Sequence, residues 1–251
     1  MVDLKDKLAV VSGGARDIGR AISLQLGKCG ASVAFCYRES AQQANETAEA
    51  LRQMGVKAFA AAADVTKRAE VEKFIAQVQQ NLQRPVDILV NNTGGMCARK
   101  KMEEMDEEFW DLVMDLNLKS AFLLTKAALP FMPDGGAIIN ISSQAGRDGG
   151  GPGAIAYATS KGAIMTFSRG LAKELGPRKI RVNAVCPGMT STTFHDTFTR
   201  PEVRQRVASM TPLGREGEAC EVGALVAYLA SSDAGYINGA CVDINGGFYF
   251  S

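Results

Sequence analysis

The sequence carries a single histidine, His195. A Ser-His-Asp or Cys-His triad would have to be built on that one residue, and the plainer reading of His195 is a polar loop residue. Cysteine occurs six times, as Cys29, Cys36, Cys97, Cys186, Cys220 and Cys241, with no CxxC pair and no histidine cluster beside any of them. That scatter speaks against a zinc site, so no metal is expected, and it suits reduced thiols in a cytoplasmic protein. Net charge is +1 with no basic block, so no nucleic-acid partner is expected, because phosphate binding needs clustered Lys and Arg. No run approaches the roughly 20 apolar residues that span a bilayer. The opening residues Met1 to Asp6 hold acids and no apolar stretch, unlike a signal peptide, and no membrane partner is expected.

What the chain does have is enough apolar residue, 46% of 251, to bury a sizeable core, and one domain covering residues 1–251 accommodates it. Short β-branched runs alternate with longer helical patterns. Leu8 to Val11 reads as a first strand with a helix through Ala21 to Lys28 behind it, and Ser32 to Cys36 as a second strand. Val86 to Val90, Ala137 to Ile141 and Ile180 to Val185 read as later ones. Continuous apolar runs suit strands buried on both faces. Strand–helix alternation then implies right-handed crossovers and a single-domain α/β fold, a Rossmann-type doubly wound parallel sheet. Ligands of such sheets sit beyond the carboxyl ends of the strands. The Gly-rich stretch 146–153 falls there as a loop rather than a linker.

After the first strand comes Ser12-Gly13-Gly14-Ala15-Arg16-Asp17-Ile18-Gly19 and then a helix. A glycine-rich strand-to-helix turn lets backbone approach a pyrophosphate, whose charge is favoured at a helix N-terminus. The second strand ends Cys36-Tyr37-Arg38, without the acid that would bond a ribose 2′-hydroxyl. Arg38, with Arg16 from the glycine turn, offers charge-assisted bonds to a 2′-phosphate. NADP(H) is therefore the preferred cofactor, with NAD(H) possible. Further along, Tyr157-Ala158-Thr159-Ser160-Lys161 places Tyr157 and Lys161 one helical turn apart on the same face. A phenol titrates near 10, and a neighbouring ammonium together with an oxidised nicotinamide ring would bring it down.

These pieces resemble the short-chain dehydrogenase/reductase family. The glycine turn is similar to its TGxxxGxG motif, with Ser12 for Thr and Asp17 for the middle glycine; the Asp17 carboxylate is expected to point at Arg16, Arg20 or water. Asp64 and Val65 match the pair flanking adenine. Asn91-Asn92-Thr93-Gly94 resembles NNAG, and Pro187-Gly188 with Thr190 and Thr192 resembles the loop holding the nicotinamide carboxamide. The resemblance runs from Leu4 to Gly247. It implies a catalytic set of Ser143, Tyr157, Lys161 and Asn117, with Ser142 as a rival for Ser143. Tyr157 would be the acid/base, Ser143 the partner of the substrate carbonyl, Lys161 the bond to the nicotinamide ribose, and Asn117 the anchor of a water relay. The family's C-terminal pattern, Tyr236 to Gly239 and Val242 to Gly247, implies a homotetramer.

For the substrate, Arg99, Lys100, Lys101, Arg147 and His195 all fall at the ligand edge, where converging cations suit a carboxylate. Arg99, Arg147 and His195 are the expected substrate contacts. Gly94-Gly95 with Arg99-Lys100, the 149–154 loop and Thr192 to His195 resemble reductases of 4-deoxy-L-erythro-5-hexoseulose uronate, which form 2-keto-3-deoxygluconate in alginate catabolism. The small-molecule carbonyl substrate is therefore expected to be a keto-sugar acid. The alternative is a 3-oxoacyl-acyl-carrier-protein reductase, whose acidic carrier needs a basic dock; the stretch Leu129 to Gly136 offers no cation. A non-catalytic NADPH-binding sensor, suggested by Asp17, is the alternative from another class.

Overall fold

The structure is a computed structural model that describes residues 2–250. The chain runs β1 (Leu8–Ser12), α1 (Asp17–Lys28), β2 (Ser32–Tyr37), α2 (Ala41–Gln53), β3 (Ala58–Ala62), α3 (Arg68–Leu82) and β4 (Ile88–Asn91). It continues through α4 (Glu107–Met114), a π-helical turn (Asp115–Lys119), α5 (Ser120–Ala128), β5 (Ala137–Ile141), a one-turn α6 (Ala145–Asp148) and α7 (Ile155–Leu175). The last third holds β6 (Arg181–Pro187), β7 (Thr190–Ser191), α8 (Thr193–Phe198), α9 (Pro201–Met210), β8 (Gly217–Glu218), α10 (Ala219–Ala230) and β9 (Cys241–Ile244).

Seven strands form one parallel sheet in the order β3-β2-β1-β4-β5-β6-β9. Burial explains why these runs became strands. Along β1, Ala9 and Val11 enter one core layer while Leu8 and Val10 enter the other. The central strands β1, β4 and β5 are thus wetted on neither face, and helices must cover both. The layer with Ala9 and Val11 is closed by Ile22 and Leu26 of α1 and Val222 and Val226 of α10. The opposite layer is closed by Phe74 and Ile75 of α3, Leu124 of α5 and Ala172 of α7. Among the described residues no helix is long and apolar enough to cross a membrane.

The doubly wound parallel sheet expected from the alternation is the one observed, with two strands beyond it. Neither β3, a run of four alanines around Phe59, nor β9 carries the dense β-branched pattern of the central strands. Both are edge strands whose residues are only partly covered, so the fully apolar signature is missing. Strand order reverses between β1 and β4, and the crevice that opens there is where a doubly wound sheet holds its ligand.

Closeness of the backbone at this crevice depends on Gly19. A Cβ there would lie 2.0 Å from the Gly13 carbonyl oxygen and 2.6 Å from Asn92 Nδ2. Gly19→Ala is expected to lower stability by about 1–3 kcal/mol through overpacking and to weaken dinucleotide binding. Thermal unfolding and a binding titration check this; an unchanged melting temperature would contradict the packing argument.

Candidate active site

The crevice continues as one cleft of about 1510 Å³ from the end of β2, over the glycine turn, to the loops after β4, β5 and β6. Gly13, Ala15, Arg16, Asp17, Ile18 and Gly19 form its floor near α1. Tyr37, Arg38, Asp64 and Val65 line one end, and Thr93, Gly94, Pro187, Gly188, Thr190 and Thr192 line the middle. Backbone amides at the start of α1, a left-handed Gly13 (φ 65°) and two nearby guanidiniums suit a phosphorylated dinucleotide. Arg38 pairs with Glu39 at 3.1 Å, and both side chains are well exposed. So weak a surface pair leaves the guanidinium available.

Two expected cofactor contacts are not in the cleft. The Ser12 hydroxyl accepts the amides of Asn92 and Thr93, each at 3.0 Å, and is buried. It ties the end of β1 to the end of β4 instead of facing a ligand. Asn91 is also buried, donating to Thr125 (2.9 Å) and to Asn140 Oδ1 (2.7 Å). The residue that faces the cleft at this point is Asn92, whose amide donates to the Ser12 and Gly13 carbonyls. Two adjacent asparagines at the end of a strand point opposite ways, and only the register tells which one points in.

On the far side of β4, α7 brings Tyr157 and Lys161 to the cleft with Ser143 from the end of β5. Gly146 and Gly162 make this possible. A Cβ on Gly146 would meet Gly162 N and the Lys161 carbonyl carbon at 2.7 Å, so α6 lies directly on α7. The Ser142 hydroxyl donates to the Lys161 carbonyl at 2.7 Å and is buried, whereas Ser143 is hydrogen-bonded with the Tyr157 phenol. The Lys161 ammonium donates to the Ile141 carbonyl at 2.8 Å and sits 5.8 Å from the Tyr157 ring centroid. Asn117 lies in the π-helical turn, buried, and is locked onto Gly95 through both carboxamide atoms, at 3.0 and 2.8 Å. Gly94 is wedged between them, since a Cβ there would meet Asn117 Oδ1 at 2.6 Å and Lys161 Nζ at 2.8 Å.

Electrostatics revise one expectation. Burial pushes the Lys161 ammonium down to about 8. Burial also pushes the Tyr157 phenol up, and the Ser143 hydrogen bond offsets this only in part. The protein by itself therefore holds Tyr157 neutral instead of lowering it.

The expected convergence of cations does not form. Arg147 donates to Asp243 (3.1 Å) and to the Cys241 carbonyl (2.7 Å), tying α6 to the edge strand β9 and facing away from the cleft. Lys100 pairs with Asp106 at 3.0 Å and lies over the Phe109 ring. Lys101 is spread toward Glu103. His195 does line the cleft, but burial pushes it down to about 4, so it is neutral at pH 7, with Nδ1 sharing a hydrogen bond with Thr199 at 2.9 Å. Arg99 alone of the five remains a charged cleft residue without a carboxylate partner among the described residues. Its guanidinium donates to the Pro152 and Phe198 carbonyls at 2.9 and 3.0 Å.

An aromatic wall stands opposite, formed by Phe194, with its centroid 5.7 Å from that of Tyr157, and by Phe198 and His195, each 5.1 Å from Phe194. Phe198 was not foreseen. Its only signal was a four-residue helical step in a short segment, Phe194 to Phe198, that a single turn of helix turns toward one side.

A strand-reversal crevice over a glycine turn, with Ser, Tyr and Lys at its far end, defines a dinucleotide-dependent oxidoreductase site. The comparisons narrow the class: the family model described as enoyl-(acyl carrier protein) reductase matches residues 13–249. A 3-oxoacyl-acyl-carrier-protein reductase of Pseudomonas aeruginosa is 40% identical over the whole of both chains. A solved short-chain dehydrogenase/reductase of Serratia marcescens is 38% identical, covers 98% of each chain and superposes with a TM-score of 0.91. A blue fluorescent protein from a metagenomic library, solved with NADPH, is 36% identical, covers 99% of this chain and 100% of its own, and gives 0.93. The chain belongs to the short-chain dehydrogenase/reductase family and is an oxidoreductase.

Arg147 gives a test of its reassignment. Arg147→Met should lower stability by about 1.5–3 kcal/mol, the range for hydrogen bonds involving charged groups, while leaving the KM of the carbonyl substrate near that of the parent. A large rise in KM at unchanged stability would return Arg147 to the substrate site.

Proposed function

We propose that the protein is an NADPH-dependent carbonyl reductase acting on a small keto-sugar acid, specifically 4-deoxy-L-erythro-5-hexoseulose uronate, giving 2-keto-3-deoxygluconate. The observation carrying the substrate class is Arg99: a fixed guanidinium in the cleft that has two carbonyls but, among the described residues, no carboxylate of its own. A substrate carboxylate would complete it, with the carbon skeleton against Phe194 and Phe198. NADPH rather than NADH follows from Arg16 and Arg38 and from the absence of an acid at the end of β2. A 36%-identical relative solved with NADPH supports it.

When bound, the dihydronicotinamide supplies a hydride to the carbonyl carbon. Tyr157, held neutral by burial, donates its proton to the carbonyl oxygen, and the Ser143 hydroxyl bonds the same oxygen. Lys161, still largely protonated at pH 7, favours the phenolate left after transfer. Asn117 keeps Gly94 and Gly95 in place beneath the ammonium. A homotetramer is proposed with this activity, supported by the outward-facing Tyr236 and Phe250 near the C-terminus.

A second reading is a 3-oxoacyl-acyl-carrier-protein reductase, favoured by the 40%-identical relative of that name. The turn Leu129–Phe131 and the residues up to Gly136, where an acidic carrier would look for cations, offer none. NADPH consumption with the keto-uronate and, separately, with a 3-oxoacyl thioester decides between the two. Turnover of the thioester alone would overturn the sugar-acid reading.

Tyr157→Phe should lower kcat by roughly 10²–10⁴-fold, the range for a positioned general acid, while NADPH still binds; retained activity would overturn the proton-transfer scheme. Arg99→Gln should raise the KM of the anionic substrate roughly tenfold to a hundredfold and leave a neutral ketone far less affected. In the free enzyme, kcat/KM for reduction should be level below pH 7. It should fall as pH rises through about 8, where Lys161 loses its proton. A falling limb only near the ordinary lysine value would show the ammonium to be less buried than the structure has it.

A further inference from the structure

Asp17 occupies the place of the family's middle glycine, and the backbone there keeps a glycine's conformation, with φ at 51°. That region disfavours side chains, aspartate less than most. A residue held there at a functional site points to a contact that compensates. The contact lies across the cleft, 176 residues away. The Thr193 amide donates to Asp17 Oδ1 at 3.0 Å, and the Thr193 hydroxyl donates to Oδ2 at 2.6 Å. Arg16 adds to the grip, its Nη1 lying 3.1 Å from Thr193 Oγ1 and 3.9 Å from Asp17 Oδ2. The carboxylate thus meets Arg16, as expected, but its two hydrogen bonds are with Thr193.

Thr193 is the first residue of α8, and Phe194, the next, packs on the Tyr157 ring. Two consecutive residues therefore connect the glycine turn to the wall of the substrate site. We propose that Asp17 is a positioning residue that latches α8 onto the glycine turn, so that the aromatic wall closes over Tyr157 in step with occupancy of the cofactor site. The coupling rests on the reading of the cleft as an NADP(H) site.

Charge supplies the reason. A carboxylate at the start of α1 stands where the helix field favours an incoming phosphate, and it repels that phosphate unless donors neutralise it. Thr193 provides two such donors only while α8 is docked. The docked state is therefore the less repulsive one toward a dinucleotide. By reciprocity a bound dinucleotide favours the docked state by the same factor. When α8 lifts, the bare carboxylate helps to expel the cofactor.

Two substitutions separate the latch from the charge. Asp17→Gly and Asp17→Asn both remove the charge. Asparagine keeps an acceptor for the Thr193 amide and a donor for its hydroxyl, and tolerates the left-handed backbone. Glycine keeps neither bond, and the backbone conformation favours it, so folding is preserved.

Hydrogen exchange over residues 190–199 of the cofactor-free protein is the first readout. Exchange should be at least fivefold faster in Asp17→Gly than in the parent and close to the parent in Asp17→Asn. NADPH should slow exchange of this segment in the parent. NADPH release, followed by its fluorescence, should be about fivefold to tenfold faster from Asp17→Gly than from Asp17→Asn. Equal exchange in the parent and Asp17→Gly would overturn the latch, and equal NADPH release from the two variants would overturn the coupling. Failure of all three proteins to bind NADPH would overturn the cofactor reading and the coupling with it, while exchange in the free protein would still decide whether the latch exists.

Discussion

The site is organised around an ammonium taken out of water. Lys161 is buried, and the nearest partner that it has is a neutral one, the Ile141 carbonyl at 2.8 Å. An isolated buried charge is costly, and such a group usually gives up part of its proton affinity instead. The fall to about 8 is that response. A carboxylate partner would have restored the ordinary value, but it would also have cancelled the positive field at Tyr157. Keeping the cation uncompensated preserves that field, and the local structure accommodates the choice. Gly94 lets the β4 loop pass under the ammonium, Asn117 pins that loop, and the Gly146–Gly162 contact sets α6, and Ser143 before it, against α7.

The same economy of charge runs through the rest of the cleft. Of the groups that sequence alone would place as substrate cations, all but Arg99 are neutralised or turned elsewhere, and Arg204 is neutralised as well. Arg147 holds β9 to the sheet through Asp243 and the Cys241 carbonyl. Arg204 is bound by Asp196 and Glu216, which fastens α8 to α9 and to the segment before β8. His195 is neutral because it is packed against Phe194 and partly withdrawn from water. Arg200, Arg206 and Arg215 also line the cleft, and four further cations mark its two ends and its middle. Arg16 and Arg38 are at the dinucleotide end, Lys161 is beneath Tyr157, and Arg99 is at the substrate end. Charges so spaced give direction to an elongated anionic ligand, whereas a cluster would not.

The sheet was legible because its central strands are buried on both faces and must therefore be apolar at every position. The edge strands β3 and β9 escape that rule, and they are not among the strands that the apolar runs mark. Within the site, spacing along one helix was enough to bring Tyr157 and Lys161 to the same side, since 3.6 residues per turn fixes the relation. Spacing was not enough for Asn91 and Asn92 or for Ser142 and Ser143. In each pair, adjacent residues point to opposite faces, and only the register against a neighbouring strand settles which one sees the ligand. Arg147 was misplaced for a related reason: it lies between two cleft residues in sequence, but one turn of helix carries its side chain round to β9. For Tyr157 the protein alone raises the phenol, because a sequence shows which charges are near but not how much water has been removed.

Arg99 ties these threads together, because its guanidinium belongs to two structures at once. It joins the loop after β4 to the Pro152 carbonyl on one side and to the end of α8 at Phe198 on the other. Its remaining donors meet no carboxylate among the described residues. Two carbonyl acceptors orient a guanidinium without cancelling its charge, so the group is both fixed and still attractive to an anion. A substrate carboxylate arriving there would tighten three segments together, the β4 loop, the 149–154 loop and α8. It would do so from the end opposite to that at which Asp17 holds Thr193. The aromatic wall over Tyr157 is then tethered at both ends by charged groups, one beside the cofactor site and one beside the substrate site.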